Sequence, residues 1–249
     1  MRRLKREVYL AVMEGDLRGA LAVEHVTEAM TVLAEVTLDA ACATHYALLQ
    51  EAHGTPVSDP AEGPAQAQPF VVVGMGKLGG RELNVSSDID LIFLYPGDGE
   101  TAAGPGQRGL SNHEFFIRLG RRVIGAMSEV DAHGYVFRVD MRLRPNGDAG
   151  PLAASYAMLE EYFFVQGREW ERYAWIKARV VAMAGGAPAD GAADQADALR
   201  AAAQQRAVDE LEALRRPFVF RKYLDYGAIA ALRDLHRQIR AEVGKRADQ

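Results

Sequence analysis

The sequence predicts an α+β fold, a small mixed sheet flanked by helical segments at both ends. Three short strand-like runs stand in the middle of the chain, and helical periodicity occupies the stretches on either side. The 249 residues are 49% hydrophobic and 25% charged, an ordinary globular composition with room for one large or two modest domains.

Residues 1–53 read as helical, because Val26, Met30, Leu33 and Val36 recur at spacings of four, three and three with acids between them. Gly54 stops this run, and Pro56, Pro60, Pro64 and Pro69 mark a linker. Phe70-Val71-Val72-Val73 is a buried strand ending at Gly74; Asp90 to Tyr95 is a second, ended by Pro96-Gly97. A Gly/Pro-rich loop from Pro96 to Gly109 leads to Ser111-Asn112-His113-Glu114, which has capping-box spacing. Phe116, Leu119, Val123 and Met127 form the helical stripe behind it. Tyr135 to Leu143 reads as a third strand, terminated by Pro145-Asn146-Gly147-Asp148, and residues 155–180 read as helical. Ala184 to Asp197 is a loose surface connection by its Ala/Gly/Asp bias, and Ile229, Leu232, Leu235, Ile239 and Val243 stripe a final amphipathic helix. The expected divisions are an N-terminal helical segment and linker (1–66), a core (67–183), and a C-terminal linker and helical segment (184–249).

Net charge is −5, which argues against bulk nucleic-acid binding. The balance is locally reversed between Arg215 and Arg246, where nine Lys/Arg face three acids. Cys42 is the single cysteine, so no intrachain disulfide forms and a reducing cytoplasm fits best. Arg2, Arg3, Lys5 and Arg6 follow Met1 without an apolar run behind them. No segment reads as the roughly 20 apolar residues of a membrane span. The expectation is a soluble cytoplasmic chain.

The chemistry concentrates in three carboxylates. Alternation along a strand places Asp88 and Asp90 on one face at its beginning, and their mutual repulsion is relieved by a divalent cation. Mg²⁺ favours a few carboxylates plus phosphate oxygens, and two such ions clamp the attacking and leaving oxygens of an in-line displacement at phosphorus. Asp140, Arg142 and Arg144 share a face of the third strand, adding a third carboxylate and two guanidiniums for phosphate oxygens. Gly79 and Gly80 remove Cβ atoms where backbone must approach a phosphate, and Arg81 to Leu83 then start a helix. Ser86 and Ser87 add hydroxyls, and Lys77 is a further phosphate contact. The bland reading is an exposed Asp-x-Asp at a strand edge and a surface ladder of charges.

Gly74-Met75-Gly76-Lys77-Leu78-Gly79 also matches the dinucleotide fingerprint G-x-G-x-x-G after a strand. Asp88 and Asp90 follow Gly79 by only 9 and 11 residues, too few for the crossover helix and second strand of that unit. Lys77 is followed by Leu78, so the phosphate loop ending in Lys-Ser/Thr fails as well. His113 and His133 have no partner spacing for metal or triad chemistry. Lys177 and Arg179, in the charged run Gly167 to Arg179, are weaker nucleotide contacts.

The run Gly74-Met75-Gly76-Lys77-Leu78-Gly79-Gly80-Arg81-Glu82-Leu83-Asn84-Val85-Ser86-Ser87-Asp88-Ile89-Asp90-Leu91-Ile92-Phe93 resembles the signature of the glutamine synthetase adenylyltransferase/deadenylylase family, polymerase-β-like nucleotidyltransferases. Val139 to Pro145 with Gly150-Pro151-Leu152, Gly167 to Tyr173 with Lys177-Ala178-Arg179, and Arg216 to Tyr223 are similar to the same family. The resemblance implies a polymerase-β-like fold, with Asp88, Asp90 and Asp140 holding two Mg²⁺ ions. It also implies glutamine synthetase as protein substrate, with ATP or ADP and phosphate as co-substrates. Glu82 to Asp90 is similar to the half that removes AMP from a tyrosine by phosphorolysis, and by that likeness the chain is truncated before a Gly-Gly-Ile-Arg-Glu-Ile-Glu-Phe motif. Two alternatives stay open: a non-catalytic fragment docking on glutamine synthetase or a PII-type signalling protein, and another nucleotidyltransferase of the superfamily.

Overall fold

The computed structural model describes residues 1–187, 193–220 and 237. The N-terminal run is two helices, α1 (Arg2–Leu17) and α2 (Val23–His53), separated by a turn at residues 18–22. α2 stops at Gly54 as the sequence predicts, and the proline-rich stretch holds a short strand β1 (Thr55–Pro56) and a 3-10 turn (Pro60–Glu62). Next come β2 (Pro69–Gly74), the single helical turn α3 (Gly76–Gly79), β3 (Ile89–Tyr95), β4 (Thr101–Ala102), paired with β1, and α4 (Asn112–Ser128). The second half carries β5 (Val139–Asp140), β6 (Ala153–Ser155), α5 (Tyr156–Val165), α6 (Glu169–Ile176), β7 (Arg179–Gly185) and α7 (Ala193–Val219).

The main sheet is mixed, as expected, with strand order β5-β3-β2-β7 and β6 also beside β3. β2 runs antiparallel to both β3 and β7. β5 and β6 run parallel to β3, one along its first residues and the other along its last. Helices cover both faces. Phe70 and Val72 with Leu91, Phe93 and Tyr95 pack in one cluster with α2 and α4. Val71 and Val73 with Ile92 and Leu94 pack in a second with α5, α6 and α7. Burial on both faces is why β2 and β3 read as unbroken apolar runs instead of alternating. Phe116 stacks on Tyr95 on one side at 4.6 Å between ring centres, and Phe163 on Phe218 on the other at 4.0 Å.

Several expectations need correction. Of Tyr135 to Leu143 only Val139–Asp140 joins the sheet, because the Arg142 amide donates to Asp140 Oδ1 at 2.9 Å and turns the chain directly after the strand. The stretch 155–180 is two helices broken at Gln166–Arg168. Its last residues begin β7, which continues to Gly185, past the boundary expected at 183. α7 starts at Ala193, inside the stretch expected to be a loose connection. By length and composition α2 is apolar enough to cross a bilayer, since its interleaved Thr and Ala hid a continuous low-polarity run. Its Met30, Ala34, Leu38 and Leu49 are instead buried in the core. The amphipathic stripe from Ile229 to Val243 lies outside the described residues.

Ser111 caps α4, accepting from the Glu114 amide at 3.2 Å, which is the serine half of the expected capping box. The Glu114 carboxylate pairs with Arg118 one turn on. α1 is fixed to the loop before β5 by Arg2, which donates to the Glu129 carbonyl at 2.6 Å.

Candidate active site

The start of β3 and the whole of β5 bring two of the three carboxylates together. These strands are parallel, with Ile89 opposite Val139 and Asp90 opposite Asp140, and the Ile89 amide donates to the Arg138 carbonyl at 2.9 Å. Side chains alternate, so Ile89 and Val139 turn toward the α2/α4 core. Asp90 and Asp140 therefore share the opposite face. Asp88 stands just before β3. Burial, and after it the negative charges of Asp140 and Asp88, raise the carboxyl of half-buried Asp90 above its ordinary value; Arg142 and Lys77 work in the other direction. Asp140 is held below the usual range by Arg142, which donates from its amide and its guanidinium, Nη2 lying 2.5 Å from Oδ2.

As placed, the carboxylates are drawn to arginines: Asp88 to Arg138 at 2.5 Å and Asp140 to Arg142. Accordingly, among the described residues no three Asp, Glu, His or Cys side chains stand close enough to hold a metal ion. The donor set still fits a hard divalent cation, because it is all carboxylate and its most buried member is electrostatically strained by the other two.

α3 is tied to the site by the Met75 amide, which donates to the Asp90 carbonyl at 2.9 Å. Gly76 follows with φ +52°, and a Cβ there would lie 2.7 Å from Asp90 Oδ2. Within the glycine cluster, the close backbone approach that requires glycine next to the carboxylates is thus at Gly76. Gly79 and Gly80 behave differently from expectation. Their amides donate to the carbonyls of Met75 and Gly76, at 3.0 and 3.1 Å, so neither is free for a phosphate. The Cβ direction of Gly79 is filled by the Lys177 carbonyl, 2.2 Å from where that atom would be. Arg81 has φ +57° and ends the turn rather than starting a helix.

Lys77 reaches across the turn and donates to Ser87 Oγ at 3.2 Å, while Ser87 donates to Asn84 Oδ1 at 2.6 Å. Both cluster residues predicted from sequence are therefore beside the carboxylates, with Asn84 as a further member. Arg138, just before β5 and two residues before Asp140, is a further member that the sequence reading does not single out. Arg144 does not continue that face: it donates to the Met141 carbonyl at 2.9 Å and pairs with Asp148 at 3.3 Å. It instead lines a cavity of about 460 Å³ with Arg142, Arg168, Tyr162 and Trp170. Lys177 and Arg179 are engaged by Glu82 and Glu35, at 2.7 and 2.5 Å.

The family model for glutamate-ammonia ligase adenylyltransferase matches residues 1–196. The chain belongs to this family. It is 56% identical over 248 residues to a protein of Ralstonia nicotianae, 55% over 249 to one of Burkholderia pseudomallei, and 46% over 248 to one of Nitrosomonas europaea. Each relative is named bifunctional glutamine synthetase adenylyltransferase/adenylyl-removing enzyme. The matches cover 100%, 99% and 99% of this chain but 24% of each relative, so the chain spans about a quarter of the length of these glutamate-ammonia ligase adenylyltransferase family members.

Proposed function

We propose that this chain carries a nucleotidyl-transfer site of the polymerase-β-like type that removes AMP from an adenylylated tyrosine of glutamine synthetase. The observation carrying this reading is the in-register pairing of Asp90 with Asp140 across parallel strands, with Asp88 near enough to perturb Asp90. In the reaction a phosphate oxygen attacks the phosphorus of the adenylyl-tyrosine diester, and the P–O bond to tyrosine breaks. ADP leaves, and the proton of the attacking hydrogen phosphate ends on the tyrosine oxygen.

Asp88, Asp90 and Asp140 would hold two Mg²⁺ ions, which supply Lewis-acid stabilisation of the oxygens around phosphorus. For that, Arg138 and Arg142 must release their carboxylates. Arg142 and Arg144 then face the cavity they share, where their guanidiniums neutralise phosphate charge. Lys77 and Ser87, hydrogen-bonded to each other across the α3 turn, would contact phosphate oxygens. The proposed direction of transfer rests on the likeness of Glu82 to Asp90 to the AMP-removing half, and the proposed cytoplasmic setting on Cys42 being the single cysteine.

The test mixes the purified chain with adenylylated glutamine synthetase, Mg²⁺ and phosphate, following ADP release and loss of the modification by mass. Turnover abolished by Asp88→Asn with Asp90→Asn is the expected result. A folded chain that releases no ADP, or a double variant as active as its parent, would sink the proposal.

A further inference from the structure

A second concave surface opens on the far side of Asp88. One wall is a stripe of α1, Arg2, Lys5, Arg6, Tyr9 and Leu10, whose spacings of three, one, three and one put them on one helical face. The other wall is built from Ser86, Ser87, His133, Tyr135 and Arg138, and the groove encloses about 310 Å³. No carboxylate lines it, in a chain whose net charge is −5. Lys5 has no acidic partner: it donates to the Tyr135 carbonyl at 3.3 Å and lies over the Tyr135 ring at 4.2 Å. Burial and the like charge of Arg138 both disfavour its ammonium form. The Arg6 side chain has no hydrogen bond or ion pair among the described residues, and Leu10 at the lip is 57% exposed. Arg138 belongs to both places, lining the groove and holding Asp88.

We propose that this groove docks an acidic stretch of polypeptide, the segment flanking the residue to be modified, and so delivers the protein substrate to Asp88. The inference rests on the nucleotidyl-transfer reading above. The geometry favours a peptide over a small anion. The cations diverge, Arg2 toward the Glu129 carbonyl and Arg138 toward Asp88, instead of converging on one point. From Arg2 to Leu10 the wall is about 12 Å long at 1.5 Å per residue, the reach of roughly four extended residues. Lys5 covers the Tyr135 ring, which removes that face as a platform for a nucleobase. Arg2 and Arg138 are paired with Asp131 and Asp88, but an apolar lip beside Lys5 and Arg6, which have no acidic partner among the described residues, matches carboxylates interspersed with apolar side chains.

The experiment measures fluorescence anisotropy of a labelled tyrosine peptide flanked by Glu and Asp, and of its Gln/Asn counterpart, on the intact chain. The acidic peptide is expected to bind in a salt-sensitive way and the neutral one not to bind. Arg6→Glu should weaken binding about tenfold, a change of sign being worth more than the loss of one exposed pair. Arg3→Glu, on an exposed position of α1 outside the groove, should leave affinity unchanged, as should Asp90→Asn. Since Arg6 is exposed and unpartnered, an unaltered melting temperature excludes misfolding. Acidic peptide that fails to bind, or binds Arg6→Glu as well as the parent, overturns the inference. So does full displacement by inorganic phosphate at constant ionic strength, or equal affinity for an oligonucleotide of the same charge. Binding is read without turnover, so an inactive chain that still captures the peptide removes the proposed reaction and keeps the docking site.

Discussion

Replacing Gly79 with alanine separates a packing role from a phosphate-binding role, because its neighbour Gly80 is so differently placed. A Cβ at Gly79 would lie 2.2 Å from the Lys177 carbonyl oxygen and 2.5 Å from that of Gly74, both backbone atoms. At Gly80 the nearest atom is Lys177 Cδ at 3.1 Å, part of a flexible side chain. Two main-chain clashes belong at the upper end of overpacking penalties, about 3 kcal/mol. Alanine recovers about 1 kcal/mol over glycine in a helical turn, leaving a net loss of about 2 kcal/mol. For a chain of this size the melting temperature should fall by roughly 4–8 °C in Gly79→Ala. Gly80→Ala should stay within about a degree or two of the parent, because Gly80 only caps the turn and the 3.1 Å contact with the flexible Lys177 side chain offsets most of alanine's helical gain. Thermal melts followed by circular dichroism, with nucleotide titrations on both variants, check this. Equal melting temperatures with equal loss of nucleotide affinity would refute the packing argument and restore the phosphate role to both glycines.

Gly76→Ala should cost about 1–2 kcal/mol from its left-handed backbone. It should also displace the Asp90 carboxylate, 2.7 Å from the new Cβ, so calorimetry should find weakened Mg²⁺ uptake in the presence of nucleotide. His45 should titrate below its ordinary 6.5, because burial and then the positive charge of Arg122 disfavour its protonated ring. The sign follows directly: the unfolded chain binds this proton more readily, so the contribution is intact above about 6.5 and is lost as pH falls through the lowered value. In an NMR titration Arg122→Gln should move His45 upward but not fully, since burial remains the larger cause. A His45 resonance titrating at the ordinary value in the parent would contradict this.

β2 and β3 are legible in the sequence because double burial leaves no polar face, and α4 because Ser111 announces its start. That Asp90 and Asp140 share a face is legible from strand alternation, and Arg138 could have been found by counting two residues back from Asp140. β7 is not legible, since Arg179 to Gly185 follows a helical run without a break signal and its pairing with β2 is decided at long range. The third strand is overestimated because alternation is blind to a side chain that caps its own backbone, as Asp140 does for the Arg142 amide. Gly79 and Gly80 are misread for a related reason: composition shows a missing Cβ but not which neighbour fills the space, and that neighbour, Lys177, is about a hundred positions away.

The pairing of β3 with β5 also divides the chain into stretches that tolerate a change of length and stretches that do not. Ala103 to Gly106 is an exposed bend remote in sequence from either strand, where extra residues lengthen a loop at little entropic cost. Between Phe137 and Asp140 a single deletion slides the partner strand by one position and rotates Asp140 into the aliphatic layer beneath α4. A reporter domain is therefore best spliced at the bend, while the four residues before the second aspartate strand's end behave as a reading frame of their own.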